Sequence, residues 1–414
     1  MTRHTHITKK GGLIKAPSSK SFAQRALFAA SLSQNSTLIE GLGKSEDVLH
    51  IQQIIEQLGF ELENKTELTK ITKSHQIESN SINVGESGLG TRLSVPLISH
   101  FLNDYQITGK GTLLKRPMAW FESFLPQMGL NIELTRKCLP LYAKGKINSG
   151  HYCVDGSESS QYISGLLMTL PICNGDSILE VKNPVSIPYI DITLSLLSDF
   201  GIEIINQDYN HFIIKGNQNY ESNLSPYQIE GDYSGAAFWI VYGLLNNGIS
   251  ISNLNPNSVQ ADAAILKIVE SVGGTQVWKN SILKIIPPNQ LKPFEFDATH
   301  CPDLFPILTT LAAGINGRSI LHGTNRLIFK ESNRKVALLE EFSKLDLEIE
   351  SINDSLIIYG TGKLKSGDID SHGDHRIAMA LAIASFLTPK GINISDPICV
   401  NKSYPEFWEI LNIL

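Results

Sequence analysis

The chain has 414 residues, of which 42% are hydrophobic and 18% are charged, and its formal net charge is -6. This length exceeds one ordinary core, so we expect two domains of about 200 residues each. The acidic balance argues against general affinity for nucleic acid or anionic membranes, and every apolar run is shorter than the roughly 18 residues that a membrane span needs.

The first residues, MTRHTHITKKGG, contain no apolar core of the kind that a signal peptide requires. The five cysteines are scattered and form no C-x-x-C pair, so a disulfide framework or zinc knuckle is not expected. We therefore expect reduced thiols and a cytoplasmic location.

Residues 16–30 (APSSKSFAQRALFAA) predict the start of a buried helix. Lys20 and Arg25 lie near that start, where free backbone N–H groups already favour an anion. A serine-capped surface helix with incidental cations is the alternative interpretation of the same pattern.

One sequence pattern then recurs along the chain. It consists of a helix-like stretch, usually followed by a glycine, and a short run that alternates apolar and polar residues. Successive copies lie 70, 72, 72 and 73 residues apart, and EFWEILNIL at the end resembles a truncated sixth copy. Glycine at a helix end favours a left-handed cap, and alternation predicts a half-buried strand. The repetition predicts α/β packing in two domains of three units each. The markers of the five copies are Gly59, Gly129, Gly201, Gly273 and Asp346.

Residues 85–93 (GESGLGTRL) have nearly the spacing of a Walker A loop, but Arg92 replaces its lysine. A nucleotide-binding loop is therefore not expected. We expect instead a glycine-rich turn that lets the backbone approach a small anion.

Residues 154–168 (VDGSESSQYISGLLM) place hydroxyls and an amide just before an apolar helix. These side chains could cap the helix or hydrogen-bond a phosphate, and they exceed what one cap requires. Polar residues 218–228 (QNYESNLSPYQ) follow the third unit and predict the main domain boundary.

Further segments place charge ahead of apolar helices. They are KRPM with Lys115 and Arg116, FKESNRK with Lys330, Glu331 and Arg334, and GDHRIAMA with Asp374, His375 and Arg376. The sequence predicts Glu331 and Arg334 on one helix face. Arginine and lysine suit phosphate and carboxylate ligands. A metal site is not expected, because His372, His375 and His300 do not form a set of three or four convergent ligands.

A series of segments spread over nearly the full length resembles the 5-enolpyruvylshikimate-3-phosphate synthase family in order and spacing. They read SSKSFAQRAL, GESGLGTRL, KRPM, DGSESSQY, SIPYIDITL, EGDYSGAAF, CPDLFPI, FKESNR, GDHRIAMA and NKSYPEFW. The resemblance implies an inside-out α/β barrel repeated in two similar domains. We expect residues 17–227 to form the shikimate-phosphate side and residues 1–16 plus 228–414 the phosphoenolpyruvate side, with the active site in the cleft between them.

The resemblance also implies transfer of the enolpyruvyl group of phosphoenolpyruvate to the 5-hydroxyl of shikimate 3-phosphate, in the shikimate pathway to chorismate. No cofactor is implied, and we expect a monomer. Matched acceptor-binding positions are Lys20, Ser21, Arg25, Ser159, Ser160, Ser186, Tyr189, Asp303, Arg326 and Lys330. Matched phosphoenolpyruvate-binding positions are Lys20, Gly88, Arg116, Gln161, Arg334, Arg376 and Lys402. Asp303 and Glu331 match the proton-transfer carboxylates, and Lys20 joins them as a catalytic position.

Some positions depart from the family pattern. Glu86 stands where many members have asparagine, Leu89 where threonine is usual, and Leu93 where many have proline; Asn333 replaces a usual aspartate. These departures bear on the phosphoenolpyruvate pocket and on sensitivity to glyphosate.

Three other functions remain open at this stage. A UDP-N-acetylglucosamine enolpyruvyl transferase typically carries a cysteine before its arginine-proline pair, whereas TGKGTLLKRPM has none. An RNA-binding protein related to RNA-end cyclases is disfavoured by the acidic charge. A non-catalytic homologue that only binds ligand is the third.

Overall fold

The computed structural model describes residues 2–7, 11–74, 76–77, 79–328 and 330–414. Phe329, in the FKESNRK segment, lies outside them. The chain divides into two compact units, residues 18–230 and residues 1–17 with 231–414, here called the N-terminal and C-terminal units. Among the described helices, none is both long and apolar enough to cross a membrane.

The strands are short and follow one another in chain order. They are β1 (Thr2–Thr5), β2 (Leu13–Lys15), β3 (Thr37–Glu40), β4 (Phe60–Lys65), β5 (Leu68–Lys73), β6 (Ser81–Asn83), β7 (Asp104–Thr108), β8 (Leu130–Thr135), β9 (Cys138–Gly145), β10 (His151–Asp155), β11 (Ser177–Lys182), β12 (Ile204–Gln207), β13 (His211–Ile214), β14 (Tyr227–Gln228), β15 (Ile249–Ser252), β16 (Thr275–Lys279), β17 (Ile282–Ile286), β18 (Glu295–Asp297), β19 (Gly317–His322), β20 (Glu348–Ile352), β21 (Ser355–Gly360), β22 (Gly367–Ile369) and β23 (Ile392–Ser395).

The α-helices alternate with these strands. They are α1 (Lys20–Leu32), α2 (Glu46–Gln57), α3 (Gly88–Ile98), α4 (Ala119–Phe124), α5 (Ser160–Thr169), α6 (Ile187–Asp199), α7 (Tyr233–Leu245), α8 (Ile265–Ser271), α9 (Phe305–Ala313), α10 (Arg334–Lys344), α11 (His375–Ala384) and α12 (Phe407–Ile413).

The sheets repeat one pattern, in which a parallel pair of strands continues into an antiparallel hairpin. In the N-terminal unit the orders are β14-β3-β5-β4, β6-β7-β9-β8 and β10-β11-β13-β12. In the C-terminal unit β16-β17-β15-β2 and β18-β19-β21-β20 follow the same pattern. A sixth sheet has the order β1-β23-β22, with β1 antiparallel to β23. The described sheets thus confirm the predicted six-fold repetition.

The repeat markers occupy the predicted place between a helix and the strand that follows it. All five have positive φ, from 66° at Asp346 to 94° at Gly59. A left-handed residue ends the helix and redirects the chain, and glycine adopts that conformation without steric cost.

Within each unit the central helices are buried on nearly every side, while the sheets alternate buried and exposed residues. In α11, every residue from His375 to Ala384 is buried, and α9 is buried throughout as well. A helix that is apolar all round belongs inside a core, whereas an alternating strand covers a core with one face. Each unit therefore has its helices inside and its sheets outside, as an inside-out barrel requires.

One local prediction is confirmed only in part, and another is wrong. The turn predicted in residues 85–93 covers Gly85 and Glu86, with Gly85 at a φ of 61°, but α3 begins at Gly88 because the Ser87 side chain accepts a hydrogen bond from the Gly90 amide and caps the helix. Glu331 was predicted on the face of a helix, but α10 begins only at Arg334, where Asn333 caps the amide of Val336. Glu331 lies before the helix.

Candidate active-site residues in two clusters

Several of the predicted site residues lie at the amino ends of central helices, and two groups of them are in contact, one in each unit. Gly88 begins α3, Ser160 begins α5, and Asp374 caps α11. The first turn of a helix presents free N–H groups and a partial positive charge, so anions are favoured there. The repeated fold therefore places several such ends in each unit.

Arg334 is the centre of the C-terminal cluster and is only 1% exposed. Its guanidinium donates to Asp303 Oδ1, Glu331 Oε2 and Asp374 Oδ2, each at 2.7 Å. Asp374 also accepts from the amide of Arg376 at 2.9 Å, which joins the cap of α11 to the same network. One arginine thus holds three carboxylates from three segments.

Asp303 is surrounded by cations. Besides Arg334, Arg376 Nη2 lies 2.8 Å from Asp303 Oδ2, and Lys330 Nζ lies 3.6 Å from Oδ1. Burial by itself would raise the pKa of Asp303, but the charges of Arg376, Lys330 and Arg334 outweigh burial and hold that pKa well below its ordinary value. Asp303 is therefore ionised in this arrangement.

The C-terminal cluster interleaves cations and carboxylates. Four cations (Lys330, Arg334, Arg376 and Lys402) face three carboxylates (Asp303, Glu331 and Asp374), and Asp262 and Asp232 add negative charge near Arg376. Lys402 Nζ lies 3.7 Å from Glu331 Oε1, and Lys402 is buried. Arginine and lysine bind phosphate and carboxylate groups, so these buried cations suit an anionic ligand. Arg326, on the short 3-10 helix Thr324–Leu327, is near enough to lower the pKa of Lys330, although burial is the larger cause.

The N-terminal cluster brings two guanidinium groups to a glycine. A Cβ on Gly88 would lie 2.8 Å from Arg116 Nη1 and 3.1 Å from Arg92 Nη1, so only glycine allows their approach. Arg92 Nη1 also donates to Gln161 Oε1 at 3.3 Å and to the Gly88 carbonyl at 3.2 Å. The structure thus gathers the predicted Gly88, Arg116 and Gln161 around Arg92.

Arg92 is a site residue that the sequence-based prediction missed. Its guanidinium stacks 4.9 Å above the ring of Tyr162, which itself stacks on Trp120 with ring centroids 4.2 Å apart. Arg92 lies four residues after Gly88, the spacing that puts two residues on one face of a helix. That spacing indicates that Arg92 lies near Gly88 only if α3 is predicted to begin at Gly88.

The hydroxyl-rich segment predicted for phosphate lies at the start of α5. Ser159 is the N-cap and accepts from the Gln161 amide at 3.3 Å, while Ser160 is buried in the first turn. Ser186 is the N-cap of α6, and Tyr189 lies in that helix's first turn.

Lys20 and Arg25 both lie on α1 but in different environments. Lys20 Nζ pairs with Asp47 Oδ2 at 2.9 Å. Arg25 is 1% exposed and donates to Thr193 Oγ1, the Ser21 carbonyl, Ser164 Oγ and the Tyr189 carbonyl. Burial lowers the pKa of Arg25 to about 10. These contacts tie α1 to α5 and α6, so Arg25 supports Ser21 and Tyr189 from within the core, and its contact with substrate stays a prediction.

Among the described residues, the three histidines considered for a metal site do not share one set of ligand atoms. His375 is buried in α11, whereas His372 Nε2 lies 2.8 Å from Glu341 Oε1. Glu340, Glu341 and His372 bring ligand atoms within 4.8 Å of one another. Glu341 already binds Lys344 Nζ at 2.8 Å with both oxygens and accepts from the Asp370 amide, which accounts for its burial.

Comparison with known proteins gives a consistent result. Residues 5–411 match the family described as EPSP synthase (3-phosphoshikimate 1-carboxyvinyltransferase). The chain is 37% identical over 410 residues to a 3-phosphoshikimate 1-carboxyvinyltransferase of Clostridium novyi, covering 96% of this chain and 94% of that protein. It is 38% identical to one of Clostridium acetobutylicum, covering 97% and 95%.

Solved structures share the fold. An EPSP synthase from Acinetobacter baumannii superposes with a TM-score of 0.83 at 24% identity, covering 100% of this chain and 97% of that one. The enolpyruvyl transferase NikO from Streptomyces tendae gives a TM-score of 0.77 at 15% identity, covering 100% and 96%. At such identities the likeness concerns the fold alone.

Proposed function

The chain belongs to the EPSP synthase family, and from that membership we propose that it transfers the enolpyruvyl group of phosphoenolpyruvate to the 5-hydroxyl of shikimate 3-phosphate, releasing phosphate. The observation that carries the proposal is the C-terminal cluster, in which Lys330, Arg334, Arg376 and Lys402 converge. Such a cluster suits a small substrate with both a carboxylate and a phosphate.

Binding of phosphoenolpyruvate changes the partners of the cluster in this proposal. Its anionic groups compete with Asp303 and Glu331 for Arg334, Arg376 and Lys402. Once the cations turn to the substrate, the pKa of Asp303 rises from its depressed value toward its ordinary one. Asp303 can then accept a proton, so the substrate itself prepares the base.

The proposed chemistry is an addition followed by an elimination. Glu331 takes up a proton once Arg334 and Lys402 have turned to the substrate. Asp303 then takes the proton of the acceptor hydroxyl while the hydroxyl oxygen attacks C2 of phosphoenolpyruvate, and Glu331 gives its proton to the methylene carbon. In the elimination, the ionised Glu331 takes a proton back from the new methyl group to restore the double bond, and protonated Asp303 gives its proton to the leaving phosphate. Every atom comes from the two substrates and these carboxyl groups, and the buried cations stabilise the charge that develops.

The N-terminal cluster supplies the remaining proposed contacts. We assign the acceptor phosphate to Ser159 and Ser160, since a helix start with free N–H groups and hydroxyls suits phosphate. Lys20, Arg116 and Gln161 are proposed to contact phosphoenolpyruvate.

We also propose that the protein acts as a monomer in the cytoplasm. Each unit has its own hydrophobic core, and the scattered cysteines lack the spacing of a disulfide framework. Light scattering of the purified protein and fractionation of cells test these two points.

A phosphate-release assay tests the proposed function. Phosphoenolpyruvate with shikimate 3-phosphate should release phosphate, and phosphoenolpyruvate with UDP-N-acetylglucosamine should not. Arg116→Ala should lower kcat/KM by about 100-fold or more. Lys215→Ala is the matched control, because it removes an exposed cation paired with Asp176. Release with the UDP-sugar alone, or wild-type kinetics in Arg116→Ala, would contradict the assignment.

A further inference from the structure

Asp262 is a buried carboxyl group that the proposed reaction does not use. It is 2% exposed and lies on the short 3-10 helix Ala261–Ala264. The preceding Gln260 fixes this helix against α7, because its side chain accepts from the Tyr233 amide at 3.0 Å and donates to the Gly231 carbonyl at 2.7 Å. The position of Asp262 is therefore rigidly set.

The two oxygens of Asp262 differ in their contacts. Oδ2 accepts a hydrogen bond from Ser234 Oγ, whereas Oδ1 is buried with no hydrogen-bond partner. A buried carboxylate oxygen without a partner costs free energy and calls for a functional or structural reason.

Arg376 provides that reason. Its Nη2 binds Asp303 at 2.8 Å, but its Nε is buried with no hydrogen-bond partner. Asp262 and Arg376 attract each other electrostatically. No ion pair within 4 Å joins them among the described residues, yet each keeps one buried polar atom without a hydrogen-bond partner.

Resting on the proposed function, in which the substrate takes Arg376 from Asp303, we propose that Asp262 is a positioning residue. Its carboxylate holds the guanidinium of Arg376 in place once Asp303 has released it. Arg376 then keeps a protein counterion throughout the reaction, and its orientation toward the substrate anion does not depend on Asp303.

The groups whose charge or hydrogen bond acts on Asp262 come from three segments. They are Asp303 from the segment before α9, Arg376 from α11, and Asp232 with the hydroxyl of Ser234 from the start of α7. The Cys301 thiol also faces it. Burial first, and then the charge of Asp303, raise the pKa of Asp262 to about 7, against the opposing effects of Arg376 and Ser234. The ionised form, which can hold Arg376, therefore predominates only above about pH 7.

The raised pKa of Asp262 predicts how kcat/KM depends on pH. The value of kcat/KM for phosphoenolpyruvate should fall as pH drops below about 7, because protonated Asp262 no longer holds Arg376. Asp262→Asn, which keeps the shape and an acceptor for Ser234, should lack this part of the profile. We expect it to raise KM for phosphoenolpyruvate on the order of tenfold, with KM for shikimate 3-phosphate changed less than about twofold.

The experiment measures both KM values from pH 6 to 8.5, with thermal melting of each variant. Asp346→Asn, an exposed aspartate paired with Lys365, is the control and should match the wild type. An inactive wild-type protein would overturn both the proposed function and this inference. An active wild type with Asp262→Asn unchanged in KM and in pH profile would overturn the inference alone.

If Asp262→Asn does not fold, Ser234→Ala tests whether Asp262 positions Arg376. The Ser234 hydroxyl lowers the pKa of Asp262, so its removal should move the acidic limb of the profile to higher pH. A limb that stays at its wild-type position in Ser234→Ala would refute the positioning role.

Discussion

Arg334 illustrates what one buried side chain does for the C-terminal cluster. Its three nitrogens each face a different carboxylate, from Asp303, Glu331 and Asp374. Lysine carries the same charge but only as a point, so it cannot match this planar arrangement. The residue therefore contributes to stability as well as to the proposed phosphoenolpyruvate site.

Arg334→Lys should destabilise the fold. Lysine cannot reach all three carboxylates, so at least one of them would lose its hydrogen bond from position 334, and a hydrogen bond to a charged group contributes about 1.5–3 kcal/mol. Urea unfolding measures the change. Lys365→Ala serves as the control, since its pair with Asp346 is exposed and should contribute less than about 1 kcal/mol. Equal effects of the two changes would contradict the organising role of Arg334.

Gly88→Ala tests the approach of the two guanidinium groups in the N-terminal cluster. The added methyl would press on Arg116 at 2.8 Å and on Arg92 at 3.1 Å, so both must shift. We expect KM for phosphoenolpyruvate to rise roughly tenfold or more, because small misplacements of binding groups are costly. Gly367→Ala is the matched control, as its methyl would meet Leu345 at an ordinary 3.4 Å. Similar kinetics in both variants would count against the cluster.

The sequence identified most of these residues as candidates but did not show which of them are buried together. Arg334, Asp303 and Glu331 stood out by charge and by resemblance. Asp262 did not, because a single aspartate in a short polar-apolar segment looks like a surface residue. Its surroundings are set by tertiary packing, since Ser234 of α7 donates a hydrogen bond to it and the charge of Arg376 of α11 acts on it.

At the level of elements, helix starts connect the fold to the site. Ser87 caps α3 by accepting from the Gly90 amide at 2.9 Å, and its hydroxyl donates to Gln24 Oε1 at 2.9 Å. It therefore fixes the turn in which Gly88 lies. Ser45 is the corresponding N-cap of α2, but its side chain makes no capping hydrogen bond.

Ser87→Ala should lower the free energy of unfolding by about 1–2 kcal/mol, because both the cap and the bond to Gln24 are lost. Ser45→Ala should cost clearly less. Thermal or urea unfolding of the two variants gives the comparison. An equal loss would mean that the Ser87 cap is not what stabilises the start of α3.

At the level of the whole molecule, the two units differ in how the chain builds them. The N-terminal unit is one continuous segment, residues 18–230. The C-terminal unit combines residues 231–414 with residues 1–17. Within it, β2 pairs with β15 and β1 pairs with β23. Two of its sheets are thus incomplete without the first residues of the chain.

This difference predicts the behaviour of fragments. Residues 18–230 expressed alone should unfold cooperatively, since their core is complete. Residues 231–414 alone should not, because β15 and β23 would each expose an unpaired edge. Adding a peptide of residues 1–17 should restore a cooperative transition in circular dichroism. A cooperative transition of 231–414 without that peptide would contradict this account.

The sequence by itself determined the sixfold repetition, the α/β class and the family, because helix ends, alternation and motif spacing are local properties of the chain. Only the tertiary structure decided which charges are buried together. Asp262, Asp303 and Arg376 are separated by many residues, and folding α7, α9 and α11 into one core brings them within electrostatic reach. Burial and proximity set the pKa of such groups, and neither is written in the order of residues.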